Sequence, residues 1–158
     1  MYARILVPLD GSALAERVLP YVETLAHRFD STVLLVRATT PPEEITPAAP
    51  AGPTPLTGPV FDPLPVLEAE VRAAATYLAA IAERLTEAGL AVESIQQDGA
   101  PAAVILETAR TREADLIAMT THGRGGLARL AFGSVADEVL RHAPCPVLLV
   151  RAQPAPSA

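Results

Sequence analysis

The sequence predicts a single α/β domain in which helices cover both faces of a mostly parallel sheet. The chain has 158 residues, about the length of one domain. Half of its residues are hydrophobic and only 19% are charged, which excludes a chain that is disordered throughout. Short, continuous apolar segments alternate with longer amphipathic ones. This alternation is typical of parallel strands that are buried on both faces by the helices between them.

The first part of the chain predicts two buried strands, over residues 3–9 and 32–38, on either side of a helix over residues 14–29. The apolar spacing of that helix predicts one buried face. Its members are Leu14, Val18, Tyr21, Val22, Leu25 and Phe29. Residues 41–65 then contain nine of the 16 prolines. Because each proline removes a backbone donor and restricts its predecessor, we expect a long surface loop there.

The rest of the chain predicts three more helices that alternate with three strands. In chain order, these six elements span residues 66–88, 90–96, 101–112, 114–119, 134–142 and 146–151. We expect one domain over residues 1–152 and a disordered tail over residues 153–158. In parallel sheets, ligands bind beyond the carboxyl ends of the strands, where the winding direction reverses. The loops after the first and fourth strands are therefore the candidate binding loops.

The charged residues and the single cysteine exclude several classes of function. All 12 basic residues are arginine, which rules out a P-loop lysine or a Schiff-base lysine. The net charge is −6 and the arginines are scattered, a pattern unlike a nucleic-acid footprint. Cys145 cannot form an internal disulfide, which suits a reducing compartment. With neither a signal peptide nor an apolar run of membrane length in the sequence, we expect a cytoplasmic protein.

The loop after the fourth strand has the composition of an anion site. Three glycines within residues 123–126 permit positive φ angles and a concave nest of backbone amides. The helix that begins at Ser134 would add unpaired amides, and Arg124 a guanidinium for phosphate. The alternative is a sharp turn alone, with Ser134 capping its own helix ahead of Asp137. For the Ser134 side chain taken by itself, the cap is the favoured interpretation.

The loop after the first strand places Asp10 at the strand tip, followed by Gly11 and Ser12. One interpretation makes Asp10 a local acceptor in a turn. The other makes its carboxylate a partner for a ribose hydroxyl or for a metal-bound water. The residues alone do not choose between these two interpretations.

Together, the two loops resemble those of the universal stress protein family. Its ATP-binding members have an aspartate after strand one and the pattern G-x2-G-x9-G-[ST] after strand four. Here the pattern is Thr120-x2-Gly123-x9-Gly133-Ser134, with three of the four positions and the spacing kept. The resemblance extends to residues 5–12, 98–101 and 143–150, and covers the chain apart from residues 41–65 and the tail.

The resemblance implies a doubly wound, five-stranded parallel sheet of order 3-2-1-4-5 that binds ATP, ADP or AMP. It places Pro8, Leu9 and Asp10 beside adenosine, Ala38 against adenine, Met119 and Thr120 over the base and ribose, and Gly123, Gly133, Ser134 and Val135 at the phosphates. We expect Mg²⁺ to bridge the phosphates, held mainly by nucleotide and water. The resemblance also implies a homodimer through residues 146–151.

Thr120 stands where the family pattern has its first glycine. If the position needs positive φ or close ligand contact, threonine is strained there, whereas an extended backbone accommodates it. We therefore consider three functions. The first is an ATP-binding regulatory protein of the stress response. The second is a dimerisation or interaction module that binds no nucleotide. The third is slow ATP hydrolysis, for which the sequence identifies no catalytic residue or metal-ligating side chain.

Overall fold

The computed structural model describes residues 1–39, 64–121 and 133–151. Residues 41–63 of the loop predicted over residues 41–65, the glycine cluster at 123–126 and the tail lie outside these ranges. The chain order of elements is β1 (Arg4–Pro8), a 3₁₀ turn (Ala15–Val18), α1 (Leu19–Phe29), β2 (Thr32–Thr39), α2 (Leu64–Glu87), β3 (Ala91–Asp98), α3 (Pro101–Thr111), β4 (Leu116–Thr121), α4 (Ser134–His142) and β5 (Val147–Arg151).

The five strands form one parallel sheet in the order β3-β2-β1-β4-β5. The predicted α/β fold and strand order are confirmed. β1 is the central strand, and its Leu6 lies opposite Leu34 of β2 and Ile117 of β4. The winding direction reverses between β1 and β4, because the chain proceeds outward from β1 to β3 and later returns to β4 on the other side.

Helices cover the two faces of the sheet and create two apolar layers. On one face, Val7 and Leu35 pack in a cluster with Leu78 and Leu85 of α2. On the other face, Leu6 belongs to a cluster with residues of α3 and α4. Successive side chains of a strand point to opposite faces, so a central strand buried on both sides needs a continuous apolar run. This explains the sequence of β1, whose residues Ile5, Leu6 and Val7 are fully buried.

The first predicted helix is a 3₁₀ turn followed by α1, and its buried face is narrower than predicted. Val18, Val22 and Ala26 are buried, but Tyr21 is 54% exposed and Phe29 is 38% exposed. The expectation that Tyr21 and Phe29 lie on the buried face of this helix is therefore wrong. Tyr21 lies one residue, or about 100°, before Val22 and so at the border of the buried face, and Phe29 is the last residue of α1, where its ring packs edge-to-face on Tyr2.

α2 begins at Leu64, two residues before the predicted start of this helix, so the last two residues of the segment predicted as loop are helical. Pro65 is its second residue, a place where the missing N–H of proline removes no helical hydrogen bond. None of the helices in the described ranges combines the length and the hydropathy of a membrane-spanning segment.

Candidate functional site

A cavity of about 330 Å³ opens at the carboxyl ends of β1, β2 and β4, beside the first turns of α3 and α4. This is the place where the strand order reverses. Nine of the residues predicted for the site line this one cavity: Pro8, Leu9, Asp10, Ala38, Met119, Thr120, Gly133, Ser134 and Val135. The other two predicted residues, Gly123 and Arg124, lie outside the described part of the chain.

The floor and walls of the cavity are apolar. Leu9 and Met119 continue the buried interior of β1 and β4 to the cavity, and both are almost fully buried. Val36 and Ala38 are two positions apart on β2, so they face the same side of the sheet. Because Ala38 has only a methyl side chain, it leaves room for a flat ligand at the end of β2.

Asp10 is held in a tight turn at the mouth of the cavity. The amide of Ser12 donates to Asp10 Oδ1 at 2.8 Å, and the Ser12 hydroxyl oxygen accepts from the amide of Ala15 at 3.1 Å. The amide of Leu9 donates to the carbonyl of Val36 at 2.9 Å, which ties the end of β1 to β2. The carboxylate is thus a turn acceptor and also lines the cavity, so the two interpretations of Asp10 are compatible.

The first turn of α4 forms the wall opposite β2. Gly133 is the N-cap residue, with a φ of +83° that favours glycine, and its carbonyl accepts from the amide of Asp137 at 2.9 Å. No side-chain hydrogen bond caps this helix, and Ser134 lies inside the first turn. The expectation that the Ser134 side chain caps α4 is therefore wrong, because Gly133 occupies that position.

This placement gives the cavity its hydrogen-bond donors. The amides of Ser134, Val135 and Ala136 belong to the first turn, where no carbonyl of the helix is available to them. All three residues line the cavity. The positive end of the helix dipole lies at the same place, so this wall favours an anionic group.

Thr120 lies within β4, which extends two residues beyond the predicted end of the strand. It pairs with Val150 of β5 in the parallel ladder. Its backbone is therefore extended, and a β-branched residue is favoured in that conformation. Of the two interpretations of Thr120, the structure supports the one without strain.

Five further residues line the cavity that the sequence did not indicate: Ala15, Val36, Pro101, Ile105 and Ala136. The two-residue periodicity of a strand would have identified Val36, which precedes Ala38 by two positions. The helical period relates Ile105 to Pro101, one turn earlier on α3. No comparable signal marks Ala15, because its contact depends on how the 3₁₀ turn packs beside β1.

The cavity has a negatively charged group at one place and hydrogen-bond donors at another. Among the described lining residues, Asp10 is the only charged one, and it lies at the end of β1. The donors of α4 lie across β4 from it. This arrangement suits a ligand with a neutral flat part, hydroxyl groups near Asp10 and an anionic group at α4. No group of three or more His, Cys, Asp or Glu side chains within the described ranges is placed to hold a metal ion.

The strand order and the position of the cavity define a doubly wound α/β protein with a binding crevice at the reversal of its sheet. The sequence profile of the Universal stress protein family matches residues 1–151, and the chain belongs to this family. A universal stress protein of Thermus aquaticus is 34% identical over 152 residues, which cover 96% of this chain and all of that relative.

Two solved structures of the family are also similar. A universal stress protein in complex with cAMP has a TM-score of 0.67 at 22% identity, covering 96% of this chain and 98% of its own. An Arabidopsis thaliana family protein with AMP bound has a TM-score of 0.66 at 16% identity, covering 96% of this chain and 92% of its own. At these identities, the likeness establishes the fold.

Proposed function

We propose that this protein binds an adenine nucleotide, ATP in particular, in the cavity between β1 and β4. We further propose that it acts as a cytoplasmic homodimer in the regulation of a stress response. The observation that carries the proposal is the composition of this cavity. It joins apolar walls, one carboxylate and the free first turn of a helix in the order in which a nucleotide presents its base, ribose and phosphates.

The base fits the apolar end of the cavity. Ala38 and Val36 form one side, and Met119 forms the floor. An adenine ring stacked there loses water from both faces, and burial of apolar surface contributes about 25 cal/mol per Å². The Asp10 carboxylate then lies where a ribose hydroxyl can donate a hydrogen bond to it.

The phosphates fit the first turn of α4. Backbone amides of Ser134 and Val135, with the helix dipole, replace the lysine that this chain lacks. Arg124, from the glycine-rich segment, is proposed to contribute a bidentate contact to phosphate. We expect Mg²⁺ to bridge the phosphates with water as its other ligands, because this ion dehydrates reluctantly.

The comparisons support the class of ligand. Two proteins of the same fold hold cAMP and AMP, which share the adenosine part with ATP. That shared part is what Ala38, Met119 and Asp10 are placed to recognise in this chain.

The homodimer is proposed to form through β5. Both β3 and β5 are edge strands, but they differ in composition. β3 carries Glu93 and Asp98, and charged side chains discourage edge pairing. β5 presents four consecutive apolar residues, Val147 to Val150, each only partly buried. An apolar open edge of this kind is suited to pair with a second copy.

Calorimetric titration with Mg·ATP tests nucleotide binding. We expect one site per chain, competition by AMP, and weaker binding of GTP because its base differs at the apolar wall. Ala38→Leu fills the base pocket without changing the charge, and it should weaken ATP binding by about tenfold or more. The matched control is Ala80→Leu, the same change on the exposed face of α2. Absence of binding at millimolar ATP would contradict the proposal and favour the interaction module.

A further inference from the structure

Arg37 of β2 lies beside the Asp10 turn but does not line the cavity. Its neighbours Val36 and Ala38 do line it, so Arg37 points to the opposite face of the sheet. There its guanidinium carbon lies 5.3 Å from the centroid of the Tyr77 ring of α2. A guanidinium in this position is attracted by the electron-rich face of the ring and can stack on it.

The same guanidinium is packed against the backbone of Gly11. A Cβ built on Gly11 would lie 2.9 Å from Arg37 Nη1 and 3.2 Å from Arg37 Cζ. Gly11 also has a φ of +88°, so both its conformation and its neighbour require glycine. The arginine therefore occupies the space that any other residue would use, next to the carboxylate that faces the cavity.

Tyr77 is itself fixed, which makes it a firm support for Arg37. Its hydroxyl donates to Glu16 Oε1 at 3.2 Å, and Arg84 contacts Glu16 Oε2 at 3.6 Å. Glu16 belongs to the 3₁₀ turn that follows the Asp10 loop. Residues of α2, β2 and the 3₁₀ turn thus enclose the loop from the side away from the ligand.

We propose that Arg37 is a positioning residue for the nucleotide site: stacked on Tyr77, it holds Gly11 and thereby the Asp10 carboxylate against the ribose. This inference rests on the proposed function. Asp10 and Gly11 are exposed, and the hydrogen bonds that shape the turn join Ser12 to Asp10 and Ala15 to Ser12, whereas Arg37 joins Gly11 to β2 and α2. Without the guanidinium, Gly11 loses its contact with β2 and α2, so the turn opens more often and the carboxylate is held less firmly relative to the cavity.

The test compares ATP with 2′,3′-dideoxy-ATP, which lacks both ribose hydroxyls. Arg37→Met removes the guanidinium and keeps the aliphatic stem, whereas Arg37→Lys keeps the charge and loses the stacking plane. We expect both variants to bind ATP about tenfold more weakly, the size of one hydrogen bond to a charged group. Their affinity for the dideoxy nucleotide should stay within about twofold of wild type. The control is Arg72→Met, which removes an exposed arginine of α2 paired with Glu68.

A second measurement is made without any ligand. Exchange of the Ser12 amide, which donates to Asp10, should be faster by about fivefold in Arg37→Met and unchanged in Arg72→Met. Tyr77→Phe, which retains the ring but loses the hydrogen bond to Glu16, should lie between wild type and Arg37→Met in the dideoxy comparison, whereas Tyr77→Leu should resemble Arg37→Met.

The outcomes separate the two proposals. If wild-type protein binds no ATP, the proposed function fails, and the assignment of Arg37 to that site fails with it. If wild type binds ATP but Arg37→Met weakens both nucleotides equally, or neither, only the positioning role is overturned. Faster amide exchange with unchanged ATP affinity also overturns it, because Arg37 then supports the loop without serving the ligand.

Discussion

Thr120 of β4 lies beside Val150 of β5 in the parallel ladder, in the position where the family pattern has a glycine. The structure therefore gives this residue the extended backbone of a strand while it lines the cavity. A glycine is not required there for conformational reasons, although it leaves more space.

Thr120→Gly should leave ATP affinity within about twofold of wild type, because threonine is not strained in β4. The same change should lower the free energy of unfolding by about 1 kcal/mol, since glycine weakens a strand interior. Thr121→Gly is the matched control, with a similar cost to the strand at a position that does not line the cavity. Titration and urea unfolding measure both quantities. Binding that occurs only in Thr120→Gly would show that Thr120 blocks the site and that the native protein is an interaction module.

The fold was predictable because its strongest signals are local and repeated. β1 must be apolar on both faces of the sheet, as its residues Ile5, Leu6 and Val7 are, and the same pattern recurs in β2 and β4. The ends of elements were less predictable. Thr120 and Thr121 extend β4 because β5 pairs with them, and that pairing is a contact between residues thirty positions apart.

The candidate site was predictable where it follows from chain order, and not where it follows from packing. Asp10 and Ala38 lie at strand ends that a parallel sheet must bring to one edge. Ala15 and Ile105 reach the cavity only through the angles at which their elements dock. The contact of Arg37 with Tyr77 joins residues forty positions apart on different elements, and neither residue type indicates it.

The dimer proposal predicts a change of mass from a single substitution on β5. Leu148→Lys places a charge on the open apolar edge, a device by which edge strands avoid pairing. Wild-type protein should have twice the chain mass of 16.5 kDa in sedimentation equilibrium, and the variant should have the chain mass alone. Val150→Lys should act in the same way.

Gln96→Lys on the opposite edge is the control, since β3 is not part of the proposed interface. Circular dichroism confirms that each variant is folded before its mass is interpreted. A wild-type monomer at about 100 μM, a concentration at which an apolar strand interface is expected to be populated, would contradict the proposal.

Thr108→Val should stabilise the protein. Thr108 is 2% exposed in α3, and its hydroxyl has no hydrogen-bond partner among the described residues. Valine has nearly the same shape and removes the buried polar atom, so we expect a gain of about 1 kcal/mol in the free energy of unfolding. The control is Thr111→Val, whose hydroxyl donates to the Glu107 carbonyl at the exposed end of the same helix. Equal effects of the two substitutions would contradict an unsatisfied hydroxyl at Thr108.

The raised pKa of Tyr77 predicts that the protein loses stability in alkaline solution. Burial, then the charge of Glu16 and the hydrogen bond that Glu16 accepts from the phenol, raise the pKa of Tyr77 to about 12 from its ordinary value of 10.0. Between these values the unfolded chain has released the proton that the folded protein still binds. Stability therefore falls as the pH rises through this window, and the contribution is fully present below pH 10.

The measurement is urea unfolding of wild type and Tyr77→Phe below pH 10 and at about pH 11. The unfolding free energy of wild type, relative to that of Tyr77→Phe, should be lower at the higher pH, because phenylalanine has no proton to lose. In parallel, the absorbance at 295 nm of wild type minus Tyr77→Phe should titrate with a midpoint near 12. A midpoint near 10 would mean that Tyr77 is neither buried nor held by Glu16 in solution, and the support that it gives to Arg37 would then be absent as well.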